Sequence, residues 1–338
     1  MRIRLAVGLC WIAAVALAAA PVVEKGKGKK LTPKAGIKTP GVQIPIESLT
    51  AEAQIPVETP GWITTGTAVF VPSRSKDLVA RVDPKTNKLL DPITGVGKPC
   101  SGTVVAFDSL WAPDCAASAV ARVDAKTYKV TGTLATGAAD VLLGVAATAD
   151  SVWMLTDAKT TLSRIDPVEN KVVGELRLPA DCNSVAFGAE SLWVTCPSQN
   201  RLLRINPATN LVDKRIEVSA GPRSVAFGDG SVWVLCDKEG KIERIDPKTN
   251  KVIKTLALNV PNGGGNLAFG EGWLWVTQSG FPVTRIDTKA EKEAVAQQFF
   301  GEGGGLIAAG SGAVWLANVS QGTVSRFDPK RIVATLPE

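Results

Sequence analysis

The 338-residue chain contains no histidine. That removes the side chain that most often serves as general base, proton shuttle or metal ligand near neutral pH. Long apolar runs are also scarce. The one at residues 5–20 is shorter than the ~20 residues that cross a bilayer as a helix. It follows Arg2 and Arg4 and ends in small residues, the pattern of a cleaved secretory signal. Cleavage is expected after the Ala-Leu-Ala triplet at 16–18, giving a signal peptide over 1–18. Leu9 stands before Cys10 where lipid attachment needs a small residue, so no lipid anchor is expected. Residues 19–41 are rich in Lys, Gly and Pro and lack apolar periodicity, which predicts a disordered linker. The formal charge of +6 is concentrated there, in six lysines between 25 and 38. The remaining body, 42–338, is close to neutral, which argues against a nucleic-acid partner.

What the body does contain is a period. The aromatic centres of its "SVWV"-like stretches are Phe70, Trp111, Trp153, Trp193, Trp233, Trp275 and Trp315, at steps of 41, 42, 40, 40, 42 and 40. The arginines that follow (Arg81, Arg122, Arg164, Arg204, Arg244, Arg285 and Arg326) keep the same phase. Seven copies of ~40 residues are an architecture rather than a site. The copy at 224–258 shows its parts. "SVAFG", "SVWVLC", "KIERID" and "KVIKTLAL" read as four strands, separated by Asp229-Gly230, "DKEG" and "PKTN". In "SVWVLC" both alternating faces are apolar, so that strand is expected to be buried on both sides. The fold class expected is all-β, a seven-bladed β-propeller of four-stranded antiparallel blades.

The pentapeptide "DPKTN" occurs at 83–87 and 246–250, with variants at 124–128, 166–170 and 206–210. Asp can accept a backbone N–H, Pro presets the first turn dihedral, and Asn tolerates the left-handed region. The motif is therefore predicted to close the hairpin between third and fourth strands, and its arginine to be structural. Ring closure stays open between two segments, the C-terminal "RIVATLPE" and the "AEAQIPVETPG" ahead of the first blade.

The blocks "GPRSVAFGDGSVWV" (221–234) and "RIDPKTNKV" (244–252), with their copies, resemble the bacterial seven-bladed propellers of the YVTN and virginiamycin B lyase-like groups. The resemblance covers residue 61 to the C-terminus. In the lyase it implies a catalytic histidine, with a glutamate and a metal ion, on the face where the loops converge. This chain has no histidine for that role and carries Arg223 at the corresponding lead-in of one blade.

Departures from the repeat on that loop-rich face are the candidate ligand-binding residues. Asn183, Arg223 and Asn266 precede or open first strands, and Asp114, Asp157, Asp237, Gln278 and Asn318 lie just past second strands. Arg223 and Asp237 belong to one blade, where an Arg–carboxylate pair would hold a charged ligand. Glycines 263–265 enter on the same face without the strand–loop–helix context of a phosphate loop. Cys100 and Cys115 flank two strands of one blade, and Cys182 and Cys196 flank the same strands of another, so two intra-blade disulfides are expected in an exported chain. Cys236 is left unpaired because Pro222 stands where its partner would be.

The function expected is an exported, monomeric, non-catalytic binding or scaffold propeller, periplasmic or secreted, that uses its loop-rich face for a protein, peptide or glycan. No cofactor is expected. The alternative is a lyase or lactonase in which carboxylates, with Ca²⁺ or Mg²⁺, replace histidine.

Overall fold

The computed structural model describes residues 42–289 and 294–334. The expected signal peptide and linker lie outside them. Seven sheets follow one another in chain order, each antiparallel from its first strand outward. Blade 4 serves as the type: Ser184–Gly188, Ser191–Cys196, Arg201–Asn206 and Leu211–Glu217 pair in that sequence. The second strand is fully buried in blade 4, and again in blade 5 at Ser231–Cys236, as the two-sided apolar pattern requires. Trp111, Trp153, Trp193, Trp233, Trp275 and Trp315 are all 0% exposed. Hydrophobic clusters join neighbouring blades; one packs Trp193 of blade 4 against Val225, Val232 and Val234 of blade 5.

Of the two closing segments, the N-terminal one closes the ring. Ala53–Pro56 forms the outer strand of blade 7, antiparallel to Thr323–Phe327. The C-terminal residues from Pro329 to Ala334 are instead a helix, with Ile332 fully buried. One further strand was not anticipated. Val42–Pro45 adds to the edge of blade 6 in parallel with Ala294–Phe300.

The repeated arginine does more than its own blade requires. In blades 2 to 5 its Nε donates to the serine two residues before the central tryptophan, at 2.7–2.9 Å (Arg122–Ser109, Arg164–Ser151, Arg204–Ser191, Arg244–Ser231). The guanidinium lies over that tryptophan, 5.0–5.6 Å from the ring centroid. In three blades its Nη1 reaches the next blade's turn. Arg122 donates to the Pro167 carbonyl, Arg164 to that of Pro207, and Arg204 to that of Pro247 and to Asn250 Oδ1. The motif therefore closes its own hairpin and offers the preceding blade an acceptor. Each turn is set as its sequence requires. Asp83, Asp124, Asp166, Asn206 and Asp246 accept backbone N–H groups two residues on. The fifth residue is left-handed, with φ between 51° and 60° at Asn87, Tyr128, Asn170, Asn210 and Asn250.

Tyr128, the departure from Asn, has a physical reason. Blade 1 carries Ala68 where the serine belongs, so Arg81 Nε has no partner. The Arg81 guanidinium instead stacks 3.2 Å above the Tyr128 ring of the next blade. Blade 6 departs differently. Trp273 replaces the serine, and Arg285, stacked on it at 4.0 Å, donates to Gln297.

Candidate functional site

Loops before first strands and after second strands gather on one face. Both disulfides lie on it: Cys100–Cys115 and Cys182–Cys196 are formed, and Cys236 is free and buried. Pro222 faces Cys236 in the strand register, at the position where blade 4 has Cys182. Desolvation pushes the Cys236 thiol well above its ordinary range, so it stays protonated and unreactive.

An apolar cluster on this face joins blades that are not neighbours. Trp62 and Leu142, from the lead-ins to blades 1 and 3, and Leu306, which opens the first strand of blade 7, form one buried cluster with Ala317. Blades 3 and 7 are not neighbours in the ring, so the cluster links separated blades. The sequence does not announce it, because Trp62 and Leu142 lie in lead-ins outside the repeating positions, and Leu306 stands where other blades carry Ser184, Ser224 and Asn266.

The eight candidate residues do not form one constellation. Arg223 and Asp237 do not pair; each bonds the glycine loop of blade 6. Arg223 Nε donates to the Gly265 carbonyl at 2.9 Å, and Asp237 Oδ1 accepts the Gly264 N–H at 2.7 Å. Asn183 links three blades: its Oδ1 accepts the Leu142 N–H, and its Nδ2 donates to the Arg223 carbonyl. Asn266 is 4% exposed and exchanges two bonds with the Ile307 backbone of blade 7. It does there what Ser184 and Ser224 do by accepting the N–H groups of Val225 and Leu267. Asp114 caps its own loop through the N–H groups of Lys98, Ala116 and Ala117. Asp157 is exposed at a positive φ of 48°. Asn318 holds Thr323 and Ser325.

Gln278 is different. It is 2% exposed; its Nε2 donates to the Val260 carbonyl, and its Oε1 has no partner. It lines a cavity of about 220 Å³ between Gly263 and Gly265 of blade 6 and Gly303, Gly304 and Gly305 of blade 7. Thr277, also in the lining, has an unpartnered buried Oγ1 as well. Sequence reasoning singled out the first glycine triplet and Gln278 but passed over Thr277 and the second triplet. The signal was present, since both triplets stand at the same distance before their central tryptophans.

The metal-assisted chemistry implied by the lyase resemblance does not fit these residues. There is no histidine, and among the described residues no three Cys, Asp or Glu side chains come together to hold a metal ion.

No family model matches the chain, and no curated protein matches it significantly. Solved structures do. Virginiamycin B lyase from Staphylococcus aureus superposes with a TM-score of 0.69 at 16% identity, over 82% of this chain and 98% of that one. A streptogramin B lyase gives 0.66 at 17%, over 81% and 94%. The Cps50 (Swd1) β-propeller domain of Myceliophteria thermophila gives 0.70 at 12%, over 83% and 99%. At these identities the likeness is one of fold, and it spans both lyase and non-lyase propellers.

Proposed function

We propose that this chain is an exported binding or scaffold propeller, periplasmic or secreted, that engages a protein, peptide or glycan through its loop-rich face. The observation that carries the reading is the apolar cluster that joins blades 1, 3 and 7 on that face. Trp62, Leu142 and Leu306 bury apolar side chains together across blades 1, 3 and 7, and the loops of the same face are held by hydrogen bonds. Such a surface suits recognition of an extended partner. Two disulfides, and the absence of a membrane-crossing helix among the described residues, fit an extracellular setting.

The alternative, a lyase or lactonase with carboxylates holding Ca²⁺ or Mg²⁺, draws on the lyase likeness alone. One experiment separates the two. The purified exported chain is applied to glycan and peptide arrays, and in parallel incubated with lactones and cyclic depsipeptides under mass-spectrometric readout, with and without added Ca²⁺ or Mg²⁺. Array binding without turnover is expected. Metal-dependent consumption of a lactone or depsipeptide would replace this reading with the enzymatic one.

A further inference from the structure

Blade 6 departs from the repeat in a way that costs stability. Buried polar atoms are nearly always partnered, and each exception needs an explanation. Thr277 and Gln278, 1% and 2% exposed, are adjacent residues that each keep an unpartnered side-chain oxygen. Blade 4 shows that the fold can satisfy the first position. There Thr195 Oγ1 lies within 3.5 Å of the Ser184 and Arg223 carbonyls. It can also close the second, since where blade 4 has the Cys182–Cys196 disulfide, blade 6 has Gly264 and Gln278.

The orientation of Gln278 is fixed. Its Nε2 donates to Val260, and turning the amide over would set oxygen against that carbonyl. The free atom is therefore an acceptor. The glycines are shaped around the same place. A Cβ on Gly265 would collide with the Thr277 carbonyl, one on Gly304 would lie 3.1 Å from Thr277 Oγ1, and one on Gly263 would lie 3.0 Å from Gln278 Nε2. A side chain at any of these three positions would crowd Thr277 or Gln278, so glycine keeps backbone alone against the two residues. No charged side chain lines the cavity.

We propose that this cavity takes one neutral sugar residue of a glycan. The inference rests on the binding reading above and names its ligand class. A sugar hydroxyl donates to Gln278 Oε1, and a second exchanges a hydrogen bond with Thr277 Oγ1. An uncharged polyol is the ligand that supplies several donors while bringing no charge into a wall that has none to answer it. A cavity of about 220 Å³ is below the range of drug-sized pockets, which suits one ring and not a whole oligomer.

The test titrates the full exported chain calorimetrically with glucose, galactose, mannose and N-acetylglucosamine. One of them is expected to bind. Thr277→Val and Gln278→Leu are each expected to weaken it about tenfold, the scale of one hydrogen bond. Thr277→Val is expected to melt at or above the wild-type temperature, because the isosteric methyl removes an orphaned hydroxyl; that separates a ligand role from a structural one. Failure of all four sugars to bind, or wild-type affinity in both variants, overturns the proposal. If array binding of peptides persists in that case, only the sugar pocket is lost. If arrays are blank and a lactone is consumed, the binding reading falls with it.

Discussion

Arginine residues at two positions separate two kinds of duty. Arg204 bonds Ser191 Oγ, the Pro247 carbonyl and Asn250 Oδ1, while its guanidinium covers Trp193. Arg204→Ala is expected to lower stability by ~1–3 kcal/mol, the range for losing hydrogen bonds from a partly buried charge. Arg223 has one such bond, to Gly265, so Arg223→Ala should cost less; thermal denaturation of the two variants measures the difference. Equal losses would show that Arg223 is as much a strut as the repeated arginine. The opposite experiment fills a gap. Ala68→Ser restores to Arg81 Nε the partner that four other blades have, and should raise stability by about 1 kcal/mol, read from the urea midpoint. The repeat made the arginine's structural role legible. Its reach into the next blade was not legible, because a bond between copies leaves no mark within one copy.

Hairpin turns carry a pH dependence that follows from their geometry. Asp83, Asp124, Asp166 and Asp246 are each held below the ordinary aspartate range, chiefly by backbone N–H groups of Lys85, Thr127, Glu169 and Lys248. A carboxylate whose pKa is depressed in the folded state stabilises fully above its unfolded value, near 3.8, and loses that contribution as pH falls through the folded value. The urea midpoint is therefore expected to fall between about pH 5 and pH 2. Blade 4 supplies the control, since Asn206 makes the same turn without titrating. Asp246→Asn should lower neutral-pH stability slightly, by the part the charge contributes, and flatten the acid loss; an unchanged acid profile would assign that loss elsewhere. The cysteine pairing was legible because two blades place cysteines at matching points. Removing the Cys182–Cys196 bond with paired Cys→Ser changes should cost about 3 kcal/mol, the scale for a loop of this length.

The whole ring was legible from one period kept by two markers over seven copies. Its closure was not, because both terminal segments read equally well as an outer strand. Packing decided it, with Ala53–Pro56 taking the place beside Thr323–Phe327. The site was legible only in part, for a physical reason. Half of the eight residues that break the repeat on the loop-rich face, Asn183, Arg223, Asp237 and Asn266, do so to brace a neighbouring blade. The apolar cluster and the Thr277 orphan depend on contacts between blades, which a single sequence does not display. The central claim is that recognition occurs on the loop-rich face. It is tested most directly by hydrogen–deuterium exchange of the full chain, with and without whichever array ligand binds. Protection is expected in the loops around 259–265 and 301–305, with the turns at 83–87, 166–170 and 246–250 unchanged. Protection confined to those turns would place recognition on the opposite face and contradict the account.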